Sequence, residues 1–342
     1  FIHFMKFCQQ LSSYLKTKEY SGNRLYSDMF EQAVLCDQGG YDSVALTEHH
    51  LINILMMPAP LQFAVKIAEA TQNINIITAV VVLPLHDMRV YAGEVIAAQI
   101  FTNNRLILGV GRGAFAYEMA LLDSPLDQSR EKFNESLDVL TALLSREEVS
   151  WSGKYYNFDK LTVMPRPMTK NGPPIMMAVL DPEGIYECTK RGFHIMTTPL
   201  SGDQQLMLNQ VDGFNRAKRD LGEKGDDLSL SLSRVAFIAK NEQDKREKLE
   251  MAYEYYSRFD NVFTGPGKVS HGMIDILPRK QSMEELNESL LICSVEEMID
   301  QLSPYEEIGI DRLILNMNFG ASHEDTMTSI EEFSSKVIPH FR

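Results

Sequence analysis

EQAVLCDQGGYDSVALTEHH, residues 31–50, holds one complete structural join. Its first part closes a stretch whose apolar residues recur every three or four positions from Leu25 to Gln38, the spacing of a helix with one buried face. Gly39 and Gly40 follow, and glycine is the residue that most readily adopts the left-handed backbone ending a helix. YDSVALT then reads as a short buried strand. YEEIGIDRLILNM, residues 305–317, repeats the logic: Gly309 ends a helix and Asp311 opens a strand.

Working outward from these joins, apolar runs rich in Val, Ile and Leu are expected as strands at 1–8, 41–47, 74–83, 105–111, 174–179, 193–198, 228–239 and 311–317. Helices are expected between them, among others at 25–38, 61–71, 88–101, 128–144, 204–221 and 324–337. Continuously apolar strands alternating with amphipathic helices signify a parallel sheet covered by helices. Eight such strands close a barrel, so the fold class expected is α/β, a single (β/α)8 TIM barrel spanning residues 1–342. An open doubly wound sheet is the rival, but QQLSSYLKTKEY after Cys8 lacks the glycine-rich turn of a dinucleotide-binding fold.

Two segments interrupt the alternation. VSWSGKYYNFDKLTVMPRP, residues 149–167, alternates like strands around Ser152-Gly153 and reads as a β-hairpin inserted before the fifth strand. FDNVFTGPGKVSHGMIDILPRK, residues 259–280, is expected to be a long irregular loop after the seventh strand and a candidate lid, with Phe259, Phe263 and Lys268 as contributors.

The 342 residues are 44% hydrophobic and 23% charged, which suits a globular domain with a sizeable core. The formal net charge of -14 tells against nucleic acid and anionic membrane surfaces as partners. Cys8, Cys36, Cys188 and Cys293 have no metal-ligand spacing, so neither a disulfide framework nor a metal site is expected. No apolar run reaches the ~20 residues of a membrane span and no secretory leader pattern is evident, so a cytoplasmic protein is expected.

Ligands of parallel barrels bind at the C-terminal ends of the strands. Three such ends carry chemistry. Glu48, His49 and His50 follow the second strand, where a histidine could exchange protons near neutral pH; a pair on a surface loop is the plainer alternative. Gly111, Arg112 and Gly113 follow the fourth strand, where glycines permit close approach and arginine offers a fork for phosphate; a tight turn with a capping arginine would look the same. Arg130, opening the next helix with Ser129 as its cap, could add a second cation. Ala79 and Val80, at the third strand, are small enough to wall a flat ring or simply to fill the core. Leu51, Ile54, Leu55, Met56 and Met57 form an apolar set that would suit a hydrophobic substrate, or pack beneath a loop.

Taken together, EQAVLCDQGGYDSVALTEHH, ITAVVVLPLHDMRV, NNRLILGVGRG, the Arg130 helix and PRP before PPIMMAV make the chain resemble the bacterial luciferase-like flavin-dependent monooxygenases, over nearly its whole length. The resemblance implies a barrel that takes reduced FMN from a separate reductase, activates O2 and oxygenates a small organic substrate. It implies His49 as the catalytic histidine and Glu48 as a neighbour of the cofactor. It places a non-proline cis peptide at Ala79-Val80 against the flavin ring, and makes Arg112 and Arg130 the phosphate-binding arginines, beside Gly111 and Gly113. A homodimer formed through helices near the second and third strands is implied too, and the broadly apolar helix 88–101 would suit it. Two departures stand out. Gly111 occupies the place of the luciferases' reactive cysteine, so light emission is not implied. Leu180 and Asp181 stand where the family often has small residues and serines around the phosphate. Rival readings are a deazaflavin-dependent oxidoreductase on the same barrel and a flavin-binding protein without catalysis.

Overall fold

The computed structural model describes residues 4–200 and 204–342. Eight parallel strands form its centre: β1 (Lys6–Gln10), β2 (Ser43–Leu46), β3 (Asn75–Thr78), β4 (Leu106–Gly111), β5 (Ile175–Ala178), β6 (His194–Thr197), β7 (Leu230–Ile238) and β8 (Arg312–Asn316). Each pairs with the next in sequence, and the ring closes where Cys8 of β1 sits opposite both Ser43 of β2 and Ile314 of β8. This is the (β/α)8 barrel. The first three residues of the strand expected at 1–8 lie outside the described residues.

Two apolar layers follow from the closure. Cys8, Ala45, Ile77, Met176, Met196 and Ile314 meet inside the barrel, while a much larger core lies between the sheet and the surrounding helices. Side chains alternate across a strand, so a β-branched run serves both layers at once. Burial pushes the Cys8 thiol up to about 12, against the hydrogen bond with Ser43, and leaves it a packing residue.

Several expectations need correction at their edges. The strand expected at 74–83 breaks after Thr78: the Ala79-Val80 peptide is cis, and Val81–Val82 then pairs with the far end of β4. The helix expected at 128–144 runs Leu126–Ser145, so Arg130 lies inside it and Ser129 bonds the Leu126 carbonyl instead of capping. Residues 259–280 are not wholly irregular. Phe259 and Phe263 end the Glu242–Phe263 helix, and Val269–Ser270 pairs antiparallel with Met273–Ile274. Asn261 clamps that segment through Lys268 and the Asp275 carbonyl, and Asn53 accepts the Ile274 amide, so side-chain amides supply an order that apolar periodicity does not record.

Residues Val149–Ser152 and Asn157–Leu161 pair as an antiparallel hairpin. Glu135 of the preceding helix accepts the backbone amides of Lys154, Tyr155 and Tyr156 at 3.0–3.1 Å and fixes its turn. No described helix is long and apolar enough to cross a membrane, and no metal-binding cluster occurs among the described residues.

Candidate active site

β2 ends at Leu46, and alternation beyond it sends neighbouring side chains apart. Glu48 turns one way. Its Oε1 meets His50 Nε2 at 2.9 Å and His86 Nε2 at 2.8 Å, while Oε2 accepts the Val82 amide at 2.6 Å. Burial pushes this carboxyl up, but the hydrogen bonds from His50, His86 and Val82, with the charge of His86, outweigh it and hold Glu48 at about 2. The same contacts raise the His50 imidazole above its usual value: first the Glu48 hydrogen bond, opposed by burial, then the Glu48 and Glu118 charges.

His49 turns the other way and is buried. Its Nδ1 meets Glu118 Oε1 at 2.5 Å, and its ring stacks on Phe115 with centroids 4.3 Å apart. Glu118 Oε2 also accepts the His50 amide at 2.8 Å, so one buried carboxylate fixes the backbone and the ring together. Nε2 remains the ring nitrogen available to a ligand. The histidines are therefore not a loose surface pair. Glu118 was not singled out in the sequence; the signal for it was one carboxylate in the otherwise apolar AYEMAL helix (Ala116–Leu121) that follows the glycine turn. Phe115 and His86 were missed for a plainer reason, since neither residue type is diagnostic alone.

The Glu48 cluster also holds the third strand end. Glu48 donates its own amide to the Val80 carbonyl at 2.9 Å, which brings the Ala79-Val80 peptide to the mouth. Across from it, a Cβ at Gly111 would lie 2.6 Å from Val80 Cγ2, and one at Gly113, where φ is +89°, would lie 2.5 Å from the Met119 sulfur. A side chain at either place would force its neighbour to move, and at Gly113 the positive φ adds backbone strain.

Arg112 and Arg130 reach the same space and are exposed toward it. Among the described residues neither has a carboxylate partner. Partial burial, then the Arg130 charge, lowers the Arg112 guanidinium below its usual value. Two like charges placed together without an acid between them favour an anion that joins them.

All ten site residues expected from the sequence, from Glu48 to Asp181, line one cavity of about 860 Å³ at the C-terminal mouth of the barrel. That volume lies near the upper end of ordinary ligand pockets of ~300–1,000 Å³. The Asp181 carboxylate is engaged by its own helix. It accepts the Gly184 amide at 2.8 Å and caps the Pro182–Lys190 helix, whose first residue, a proline, has no N–H to offer. The start of this helix is thus occupied by its own acid, and Leu180 contributes a carbonyl to Gln210 at 2.8 Å. Of the apolar set after His50, only Leu55 reaches the cavity; Ile54 and Met57 pack in the core and Leu51 faces solvent. Phe259 and Phe263 line the cavity, while Lys268 does not.

Two arginines with no ion-paired carboxylate, glycines that admit close contact and a flat peptide wall fit a phosphate-bearing planar cofactor. Comparison with known proteins agrees with that chemistry. The luciferase-like monooxygenase family model matches residues 1–312. The oxygenase component of a flavin-dependent trigonelline monooxygenase from Acinetobacter baylyi is 26% identical over 330 residues, covering 93% of this chain and 90% of that protein. Among solved structures, monooxygenase RslO1 from Streptomyces bottropensis superposes with a TM-score of 0.87 at 20% identity, covering 99% of this chain and 100% of that one. The oxygenating constituent of 3,6-diketocamphane monooxygenase from Pseudomonas putida, in complex with FMN, gives 0.80 at 16% identity with 99% of each chain covered. An F420-dependent secondary alcohol dehydrogenase gives 0.80 at 17% with 100% of each covered. The fold is shared by all three, and the chain belongs to the luciferase-like monooxygenase family, as an enzyme of that class.

Proposed function

We propose that this enzyme uses reduced FMN, delivered by a separate reductase, and O2 to oxygenate a small organic substrate with a substantial apolar surface. The observation that carries the reading is the meeting of three things in one cavity: Arg112 and Arg130 without an ion-paired carboxylate, the Ala79-Val80 wall, and His49 tied to buried Glu118. The diketocamphane enzyme's FMN and the trigonelline enzyme's description as an oxygenase component support FMN and a partner reductase.

Reduced flavin, when bound, would supply the electrons that activate dioxygen. Arg112 and Arg130 would grip its phosphate by charge-assisted hydrogen bonds. Ala79, Val80 and Gly111 would take the face of the ring. His49, with Nδ1 held by Glu118, would present Nε2 to give or accept a proton beside the reacting oxygen. Phe115, Phe259 and Phe263 would keep water from that position; Phe115 meets the other two edge-on at 5.6 and 6.4 Å.

Anaerobic titration with reduced FMN tests the reading, with reduced deazaflavin in a parallel arm because the F420-dependent neighbour shares the fold. Micromolar binding of FMN, weakened in Arg112→Met and Arg130→Met, is expected. Preference for the deazaflavin, without oxygen uptake, would transfer the protein to hydride-transfer chemistry. We further assign it a homodimer and a cytoplasmic setting.

A further inference from the structure

The cavity carries more positive charge than one phosphate needs. Besides Arg112 and Arg130 it is lined by Arg191 and Arg234. Arg191 is already matched, with Nη2 2.7 Å from Asp138. Arg234 is not. It stands on β7, three strands round the closed ring from β4, whose end leads to Arg112.

One Arg234 Nη2 hydrogen goes to the Ser289 carbonyl at 2.6 Å, and Nε is buried with no hydrogen-bond partner. No described carboxylate pairs with this side chain. Among the described residues Nη1 has no protein partner and, unlike Nε, is not among the buried donors, so the Nη1–Nη2 edge of the guanidinium is the part open to the cavity and suited to an acceptor. The nearest protein candidates are unsuitable. Burial pushes the Tyr256 phenol up to about 12, against the charges of Arg234 and Arg279, so it stays neutral beside Arg234. Asp260 lies 3.4 Å from Arg279 and is matched to that cation. Around the fork, Tyr255, Tyr256 and Phe259 present aromatic surface to the cavity, and Tyr256 and Phe259 pack edge-on at 6.1 Å.

From this juxtaposition we infer that the substrate is a planar, largely apolar molecule bearing a carboxylate, and that Arg234 binds the carboxylate and so orients the ring between the aromatic wall and the flavin position. The inference rests on the reading that Arg112 and Arg130 hold the flavin phosphate, which leaves Arg234 for the second ligand. A guanidinium matches a carboxylate with two parallel hydrogen bonds, a geometry lysine cannot reproduce.

The test uses the full chain and two probes of equal shape, 2-naphthoate and 2-naphthamide, titrated calorimetrically with FMN present. Naphthoate is expected to bind the wild type roughly ten- to a hundredfold more tightly than the amide, the worth of a hydrogen-bonded charge. Arg234→Met should erase that preference and Arg234→Lys should keep part of it, the lysine variant carrying the test should the methionine variant not fold. Equal binding of both probes, no binding of naphthoate at millimolar concentration, or a preference that survives in Arg234→Met would overturn the inference. FMN titrations separate it from the reading beneath it. Loss of FMN affinity in Arg234→Met but not in Arg112→Met would make Arg234 the phosphate anchor and refute the proposal. Loss in neither variant, with the naphthoate preference intact, would sink the phosphate assignment and leave Arg234 standing.

Discussion

Glu118 decides what His49 can do, because a buried carboxylate 2.5 Å from Nδ1 fixes the ring's orientation and leaves Nε2 to face a ligand. His49→Ala should lower kcat by about 10²–10⁴, the usual worth of a positioned acid-base group. Glu118→Gln keeps a hydrogen bond but not the charge, and we expect a smaller loss in kcat with an unchanged Kd for FMN. Equal turnover of a verified substrate by His49→Ala would remove the histidine from the chemistry. The neighbouring pair gives a pH signature. His50 is raised above 6.5 in the folded state, so its contribution to stability is complete below about pH 6.5 and is lost as pH rises through the folded value. Glu48 is lowered, so its contribution is present above about pH 4.5 and lost only as pH falls toward 2. The melting temperature should therefore decline from pH 6.5 upward, and His50→Asn should flatten that decline. An unchanged slope in the variant would show that His50 titrates no differently in the unfolded chain.

At the scale of elements, the third and fourth strands meet through glycine and a broken ladder. Gly111→Ala would place a Cβ 2.6 Å from Val80 Cγ2 and push Val80 toward the flavin position. Overpacking of this kind costs ~1–3 kcal/mol, so FMN affinity should fall by roughly tenfold or more, as read by titration, while the far-UV spectrum stays that of the barrel. What was legible in the sequence follows from the same physics. The eight strands are buried on both faces, so they stand out as apolar runs, and helix Met88–Phe101 has the expected bounds because Asp87 caps it and Thr102 ends it. The break at Ala79 was not legible from pattern, since apolar residues continue from Ile74 to Leu83 across it; only the family resemblance pointed there. Residues 259–280 looked irregular because Asn53 and Asn261 hold them, and long-range amide hydrogen bonds leave no periodic trace. The Glu118 partnership was equally invisible, as it joins residues separated by 69 positions.

For the whole molecule, the surface of helix Met88–Phe101 asks for a partner. Val90 and Phe101 are each 63% exposed, and Ile100 is 37% exposed. Val90, Gly93, Ala97 and Phe101 follow helical spacing along one outer face, with the small residues between the large ones, a surface on which another helix can approach closely. Met168, 51% exposed, widens the patch, because its amide donates to Gln99 Oε1 at 3.3 Å and holds the segment after the hairpin against this helix. A stable homodimer needs about 800 Å² from each subunit, more than one helix face supplies, so the patch would form the centre of an isologous contact that includes neighbouring helices. We therefore expect the wild-type chain to sediment as a dimer at micromolar concentration, and the Val90→Glu, Phe101→Glu double variant to sediment as a monomer with an unaltered far-UV spectrum. Buried like charges facing each other across a two-fold axis cost several kcal/mol, enough to dissociate an interface of ordinary size. A wild-type chain that sediments as a monomer would leave these apolar side chains without the proposed role, whereas a double variant that remains dimeric would move the interface to another face of the barrel.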